Sequence, residues 1–311
     1  MAIALVVTLL MTPLVKRLAI KMGAVDDPTK DDRRVHTKPV PRWGGLAIYA
    51  GFLVALVIVL PIARSIPFFP PYVITILVLG ALLVVFGAID DLKQLSAKWQ
   101  LLFLVLVGVA VQSRGTGIGI QRVNWHEHSI QLGAWGVLLT VAYIFVITKT
   151  MDTIDGIDGL AAGIAAIAAS TLCIIAVIKG QPRVALIAAA AAGASIGFLR
   201  YNYNPAKIFM GTGGAQLLGF VLACLSIVGP LKTVADLALF IPLVFGVPII
   251  DALVVIVRRV WNRQPITQAD KRHIHHELLK RGLSQRQAVW VLYGIAMAMG
   301  ALLITLVVSH V

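Results

Sequence analysis

Three carboxylates fall within seven positions in the stretch TMDTIDGIDGLAAG, residues 150–163, of a chain with only 14 acidic residues in 311. Asp152, Asp155 and Asp158 recur every third residue between apolar flanks, and Gly156, Gly159 and Gly163 interrupt the run. Glycine lets backbone come close to a ligand. Oxygen donors at this density suit Mg2+, which is typically held by one or two carboxylates together with phosphate oxygens. A merely acidic loop is the competing account. A second pair, Asp90 and Asp91, closes an apolar run in GAIDDLKQLSAKWQ, residues 87–100. Adjacent carboxylates repel unless a cation or proton lies nearby, and a helix C-terminus disfavours them further. The pair reads as a base or as an electrostatic partner for a metal, against the plainer account of a solvated helix end.

Two further stretches offer groups for phosphate. In RYNYNPAKIFMGTGGAQLLGF, residues 200–220, Asn202, Asn204 and Lys207 precede a turn of Gly211, Thr212, Gly213 and Gly214 that opens a new apolar run. A Gly-rich turn leading into a helix presents free N–H groups to an anion; many such turns only start a helix. In ADKRHIHHELLKRGLS, residues 269–284, His273, His275 and His276 sit among Lys271, Arg272 and Lys280. The spacing would serve a transition metal, a solvated cluster or a phosphate, and the cationic neighbours favour phosphate. Asp251 is placed to pair with a base. The stretch DDPTKDDRRVHTKPVPRWGGLAIY, residues 26–49, reads as an ordered loop with prolines at 28, 39 and 41, followed by a helix from Gly44 and Gly45.

The elements that hold these groups follow from composition. The chain is 59% hydrophobic and 13% charged, against about 25% charged in a soluble domain. Apolar runs of about 20 residues, the length that crosses a bilayer core as a helix, recur throughout. No barrel-like alternation is present, so the spans read as helices. The expected fold is all-α and polytopic, a single membrane domain over 1–311. Ten spans are predicted at about 2–20, 43–63, 71–88, 98–112, 133–150, 160–178, 183–199, 214–230, 237–257 and 288–309. The first, MAIALVVTLLMTPLVKRLAI, lacks a basic leader and a small-residue cleavage site and reads as a retained helix. Cys173 and Cys224 lie inside apolar runs and suggest neither disulfide nor metal.

The connections then alternate sides. The set at about 21–42, 89–97, 151–159, 200–213 and 258–287, with its flanking helix ends, holds 21 of the 27 Lys and Arg residues. Cytoplasmic loops carry that excess, so this set is expected inside and both termini outside. Only Glu127 and Asp236 among the acids belong to the other set. The candidate active site therefore lies on the cytoplasmic face. The net charge of +13 reads as orientation signal and contact with anionic membrane lipid, not as a nucleic-acid surface. Carboxylates for a divalent metal, bases for phosphate and a membrane position together suggest phosphoryl transfer from a nucleotide-linked donor to a lipid phosphate.

Five stretches in order, RRVHTKPVPRWGG, GAIDDL, DGIDGLAAG, NPAKIFMG and ADKRHIHHELLKRG, resemble the signatures of the polyprenyl-phosphate N-acetylhexosamine-1-phosphate transferases, a glycosyltransferase family 4 group that includes phospho-MurNAc-pentapeptide translocase. The resemblance spans nearly the whole chain. The form HIHHELL is closer to the GlcNAc-1-phosphate branch. The resemblance implies an enzyme of the bacterial inner membrane that transfers GlcNAc-1-phosphate from a UDP-sugar donor to undecaprenyl or another polyprenyl phosphate. UMP would be released and a lipid-linked cell-envelope polysaccharide begun, with Mg2+ as cofactor and Mn2+ as its substitute. It implies Asp90 and Asp91 as the catalytic pair, with Asp90 also near the metal. Asp155, Asp158, Asn204, Lys207, His273, His275 and His276 would bind substrate. A homodimer is compatible with the family. Two positions depart from its pattern: Asp152 stands where Asn is usual, and Thr212 where Asp is usual. The expectation is that a carboxylate has moved, so that Asp152 and Thr212 share the metal site. The alternatives are the pentapeptide translocase itself, a divergent non-catalytic relative, or a transporter.

Overall fold

The computed structural model describes residues 1–30, 38–62, 70–113, 115–125, 128–229, 242–263 and 273–309. With no water to satisfy backbone groups, an apolar chain in lipid closes its hydrogen bonds within helices, and helices dominate here. They are α1 (Ala2–Lys21), α2 (Gly44–Ile62), α3 (Pro71–Lys93), α4 (Ala97–Val111), α5 (Ala134–Ile154), α6 (Leu160–Ile178), α7 (Pro182–Asn202), α8 (Gly211–Val228), α9 (Gly246–Trp261), α10 (Ile274–Lys280) and α11 (Gln285–Ser309). Pro71 and Pro182 start α3 and α7, where a missing N–H costs nothing. Two small antiparallel sheets add to the expected all-helical fold. β1 (Val25–Asp26) pairs with β2 (Val40–Pro41), and β3 (Arg122–Trp125) pairs with β4 (His128–Gln131).

Each predicted span meets a helix: α1 to α9 and α11. Seven of these, α1, α3, α5, α6, α7, α8 and α11, are long and apolar enough to cross a membrane. The apolar parts of α2 and α4, Gly44–Val59 and Ala97–Val111, are shorter, and α9 has 16 residues, about 24 Å at 1.5 Å per residue. The predicted ninth span starts at 237, and residues 237–241 lie outside the described ones. So do 31–37, 64–69, 231–236 and 264–272 of the predicted connections.

The molecule packs as a membrane protein does, with large apolar residues covering the outside and small residues letting the inner helices approach closely. α8 is buried along almost its whole length and packs on α2, α3, α5, α6 and α7. Its glycines make this possible: Gly213 lies against Gly87 of α3, Gly214 against Gly45 of α2, and Gly219 against Thr148 of α5. Leu10, Leu14 and Leu18 of α1 and Val78, Leu82 and Val85 of α3 face outward. On α9 the order is inverted relative to a soluble helix. Asp251, Val255 and Arg259, at four-residue spacing, are buried, while Leu253, Val257 and Trp261 are exposed.

Helix direction gathers the polar groups at one end. Gly193 and Gly197 of α7 lie against the carbonyls of Met1 and Leu5, so α1 and α7 run parallel. Arg42 N bonds Ala24 O just beyond α1, and Trp43 Nε1 bonds Ala88 O near the end of α3. The C-terminal ends of α1, α3, α5 and α7 therefore meet the N-terminal ends of α2, α4, α6, α8 and α11.

Candidate active site

Asp90 and Asp91 are neighbours in sequence with different partners. α3 ends with Gln94 in the left-handed region (φ 50), and the chain turns back over the helix end. Asp90 is 6% exposed. Its Oδ1 accepts Leu95 N (2.9 Å) and Gln100 Nε2 (3.1 Å), and its Oδ2 accepts the same amide at 3.2 Å. Gln100 Oε1 in turn accepts Lys149 Nζ at 3.1 Å, and Lys149 pairs with Asp152 Oδ2 at 2.6 Å. A polar chain thus runs Asp90, Gln100, Lys149, Asp152 across α3, α4 and α5. Gln100 and Lys149 were not among the expected site residues. The three-residue spacing of Lys149 and Asp152 is a helical pairing signal, whereas nothing local marks Gln100.

The Asp91 side chain is 1% exposed. Its Oδ1 accepts Arg42 Nη1 at 3.2 Å and Thr212 N at 3.3 Å. Arg42 also bonds Asp26 Oδ2 at 3.0 Å. Gly211 has φ +73, and the Asp91 carboxylate occupies the space a Cβ would take. The Gly-rich turn does serve an anion, since the first turn of a helix offers unpaired N–H groups. That anion is the chain's own Asp91. Asp91 Oδ2 accepts no hydrogen bond from the described residues. Arg42, read from sequence only as an orientation charge, is delivered by the β1–β2 pairing, which places Asp26 opposite Val40.

Asp155 follows the last residue of α5 and stays partly exposed. Its carboxyl is pushed up to about 7, by burial first and then by Asp152, with Asp91 and Asp158 adding to the rise and Arg42 opposing it. These carboxylates therefore share one electrostatic locus that Arg42 compensates only in part. Such a locus suits a cation. Asp158 is turned elsewhere. Its Oδ2 accepts Asn204 Nδ2 (3.0 Å) and Ala206 N (2.9 Å). Asn202 Oδ1 accepts Gly159 N at 3.1 Å, and its amide bonds Ile208 O at 3.1 Å. From α11, Tyr293 donates to Gly159 O, Arg286 to Asn204 O, and Trp290 to Tyr203 Oη. Asp158, Asn202 and Asn204 fasten the turn after α5 to the segment before α8.

The histidines lie beside the turn after α5. Buried Asp251 of α9 caps α10: Oδ1 accepts Ile274 N and Oδ2 meets His273 Nδ1, both at 2.6 Å. His275 is 1% exposed, and neither ring nitrogen has a hydrogen-bond partner among the described residues. Its Nε2 faces Gly156, where any Cβ would collide with the ring. Burial, reinforced by His276 and His273 and opposed by Asp251, pushes the imidazole down to about 3. Lys271 and Arg272 lie outside the described residues. Lys280 pairs with Glu277 at 4.0 Å on the surface, a contact worth little. Lys207 points elsewhere: it lines a cavity with α1.

The expected metal residues are thus divided. Asp90 and Asp152 are joined through Gln100 and Lys149, while Thr212 lies against Asp91. Among the described residues, no three His, Cys, Asp or Glu side chains could hold an ion by themselves. An all-oxygen locus at Asp91 and Asp155 nevertheless fits Mg2+, which leaves most of its shell to water and substrate phosphate.

A sequence profile described as glycosyl transferase family 4 matches residues 73–230, from α3 to just beyond α8. A Bacillus subtilis protein, "Probable undecaprenyl-phosphate N-acetylglucosaminyl 1-phosphate transferase", is 40% identical over 295 residues, covering 94% of this chain and 79% of its own. "Decaprenyl-phosphate N-acetylglucosaminephosphotransferase" of Mycolicibacterium smegmatis is 33% identical, covering 93% of this chain and 77% of its own. "Undecaprenyl-phosphate alpha-N-acetylglucosaminyl 1-phosphate transferase" of Escherichia coli K12 is 26% identical, covering 91% and 76%.

Proposed function

The chain belongs to glycosyl transferase family 4, and from that premise we propose that it transfers GlcNAc-1-phosphate from UDP-GlcNAc to a polyprenyl phosphate. The chain is an enzyme and an integral membrane protein. The observation that carries the reading is the locus of Asp91, Arg42, Asp155 and the start of α8 at one end of the helix bundle. The relatives' names supply the substrate class.

In the proposed reaction an oxygen of the lipid phosphate attacks the β-phosphorus of the donor. The new P–O bond forms as the bond to the bridging oxygen breaks, and UMP leaves with that oxygen and its electron pair. Asp91 is the member of the carboxylate pair with an oxygen that no described residue occupies, and it takes any proton carried by the attacking phosphate. Arg42 holds Asp91 and adds positive charge beside the incoming phosphates. Asp90, saturated by Leu95 and Gln100, fixes the turn that orients Asp91. Mg2+, or Mn2+ in its place, would be held by Asp91 and Asp155 and would neutralise charge on the pyrophosphate when bound. Buried His275 packs under Gly156 and supports the turn after α5, with His273 and His276 next to it. Asp158 and Asn204 shape the wall against which the donor lies.

The membrane arrangement is proposed on the same footing. Ten spans follow from the apolar runs, and a cytoplasmic site and external termini from the Lys and Arg excess at the polar end. The bacterial relatives support the inner membrane as its location.

The test is UMP release by purified protein with undecaprenyl phosphate and Mg2+, with UDP-GlcNAc and UDP-MurNAc-pentapeptide in parallel. Release from UDP-GlcNAc alone is expected. Release from the pentapeptide donor alone would assign the chain to the translocase branch. Donor binding without release would make it a non-catalytic relative.

A further inference from the structure

A second set of cations gathers at the polar end, apart from the acids. A cavity of about 270 Å³ lies between the end of α1 and the 201–207 segment. Lys16, Arg17 and Lys207 line it together with Tyr201, and Pro13 and Ile20 supply apolar wall. Among the described residues, no carboxylate lines it. Among the described residues, none of the three cations has a side-chain hydrogen-bond or ion-pair partner, and no hydrogen bond or ion pair joins the lining side chains to Asp90, Asp91, Asp152 or Asp155.

The sequence explains why the helices open here. α1 and α7 touch closely where Gly193 and Gly197 meet the carbonyls of Met1 and Leu5. One turn further along α7 the corresponding residue is Tyr201, whose ring keeps the backbones from approaching as closely. The bond from Lys207 N to Tyr201 O, at 2.8 Å, closes the following turn and brings Lys207 opposite Lys16 and Arg17. The outward stripe of Leu10, Leu14 and Leu18 on α1 ends beside the cavity.

Three cations without a partner among the described residues, an apolar wall and an adjoining lipid-facing stripe fit a phosphate that carries its own hydrocarbon. Basic pockets between membrane helices on the cytoplasmic side bind anionic head groups in this way. We propose that the α1–α7 cavity binds the phosphate head group of an anionic glycerophospholipid, with the acyl chains running along α1. The site is independent of the transfer reaction. It also gives Lys207 a partner that the acid site does not supply.

The test is native mass spectrometry of the delipidated, purified full chain titrated with dioleoyl phosphatidylglycerol or dioleoyl phosphatidylcholine. One phosphatidylglycerol should bind about tenfold more tightly than phosphatidylcholine. The preference should disappear in Lys16→Gln/Lys207→Gln and persist in Lys93→Gln/Lys98→Gln, whose cations lie at the same end but outside the cavity. Arg17→Gln, at an exposed position, should lower it about threefold and serves if the double variant does not fold. Millimolar inorganic phosphate should leave lipid binding unchanged. Equal binding of the two lipids, or a preference that survives loss of the cavity cations, overturns the proposal. So does displacement by inorganic phosphate, which would make this a free-phosphate site, or by stoichiometric undecaprenyl phosphate, which would make it an acceptor site. None of these readouts uses transferase activity, so failure here and failure of the proposed function are told apart.

Discussion

Asp90 and Asp91 share a helix end and a side-chain chemistry, yet they belong to two different regions. On the Asp90 side every acceptor is taken: Leu95 N and the Gln100 amide hold the carboxylate, and Lys149 links Gln100 to Asp152. On the Asp91 side one oxygen is shared by Arg42 and Thr212 N, the other is free of described donors, and Asp155 nearby is held partly protonated near neutral pH. Saturated polar groups fix geometry, and unsaturated ones remain available to substrate or cation. The lesson is that a carboxylate's role follows from the donors its neighbours bring, not from its place in a motif.

The largest expected effect separates the two acids directly. Asp91→Asn should cut UMP release by about 10³-fold while leaving the fold intact, because it removes charge and basicity at the reacting phosphate. Asp90→Asn keeps an acceptor for Leu95 N and should cost only about tenfold. Equal losses would erase the distinction. Next is the Lys149–Asp152 pair. Lys149→Met leaves Asp152 an uncompensated, largely buried carboxylate and frees Gln100, and should cost about 30-fold. Adding Asp152→Asn removes the stranded charge and should return activity to within a few fold. A double variant as poor as Lys149→Met would show that Lys149 acts on substrate rather than through its neighbour. Asp152→Asn alone tests the carboxylate exchange with Thr212. Unchanged Mg2+ affinity and activity would mean that Asp152 takes no part in metal binding.

A third test uses acidity. With Asp155 raised to about 7, a cation must displace a proton below that pH. Mg2+ affinity should therefore rise about tenfold per unit up to pH 7 and level off above it. Calorimetry in two buffers of different ionisation enthalpy reads the released proton. A pH-independent affinity would place the ion away from Asp155.

The helices and their polar end were legible because bilayer chemistry leaves few choices: long apolar runs must be helices, and Lys and Arg collect at one end. The DGIDG and GTGG turns were legible because glycine at Gly159 and Gly211 marks left-handed backbone. What was not legible depends on which helices become neighbours. Gln100 meets Asp90 and Lys149 only because α4 packs beside both α3 and α5. Arg42 sits 49 residues from Asp91, and its reach is set by a two-residue sheet no pattern announces. Lys207, beside a family-like motif, was expected at the substrate; a single backbone bond to Tyr201 turns it to α1. The Gly-rich turn was read for the right property, its free N–H groups, and what it binds is a side chain from another helix.

The histidines repeat the contrast on a smaller scale, and the smallest predicted effect is found there. His273 is held by Asp251, whereas His275 is buried with both ring nitrogens unpaired among the described residues and its imidazole pushed down to about 3. Above its ordinary value of 6.5 the residue is neutral whether folded or unfolded, and the native state keeps its full stability. As the pH falls below that value the unfolded chain takes a proton that the native state refuses. Stability should then fall by at most about 1.4 kcal/mol per pH unit until the folded value is reached. In detergent this appears as a melting temperature that drops a few degrees between pH 6.5 and 5. His275→Gln should flatten that slope. Saturating donor nucleotide should raise the melting temperature at every pH without changing that slope, because the native imidazole is neutral with or without ligand and binding adds stability to the native state alone. A slope unchanged by the substitution would assign the acid sensitivity to other groups, and His275 would then be no more exceptional than its paired neighbour.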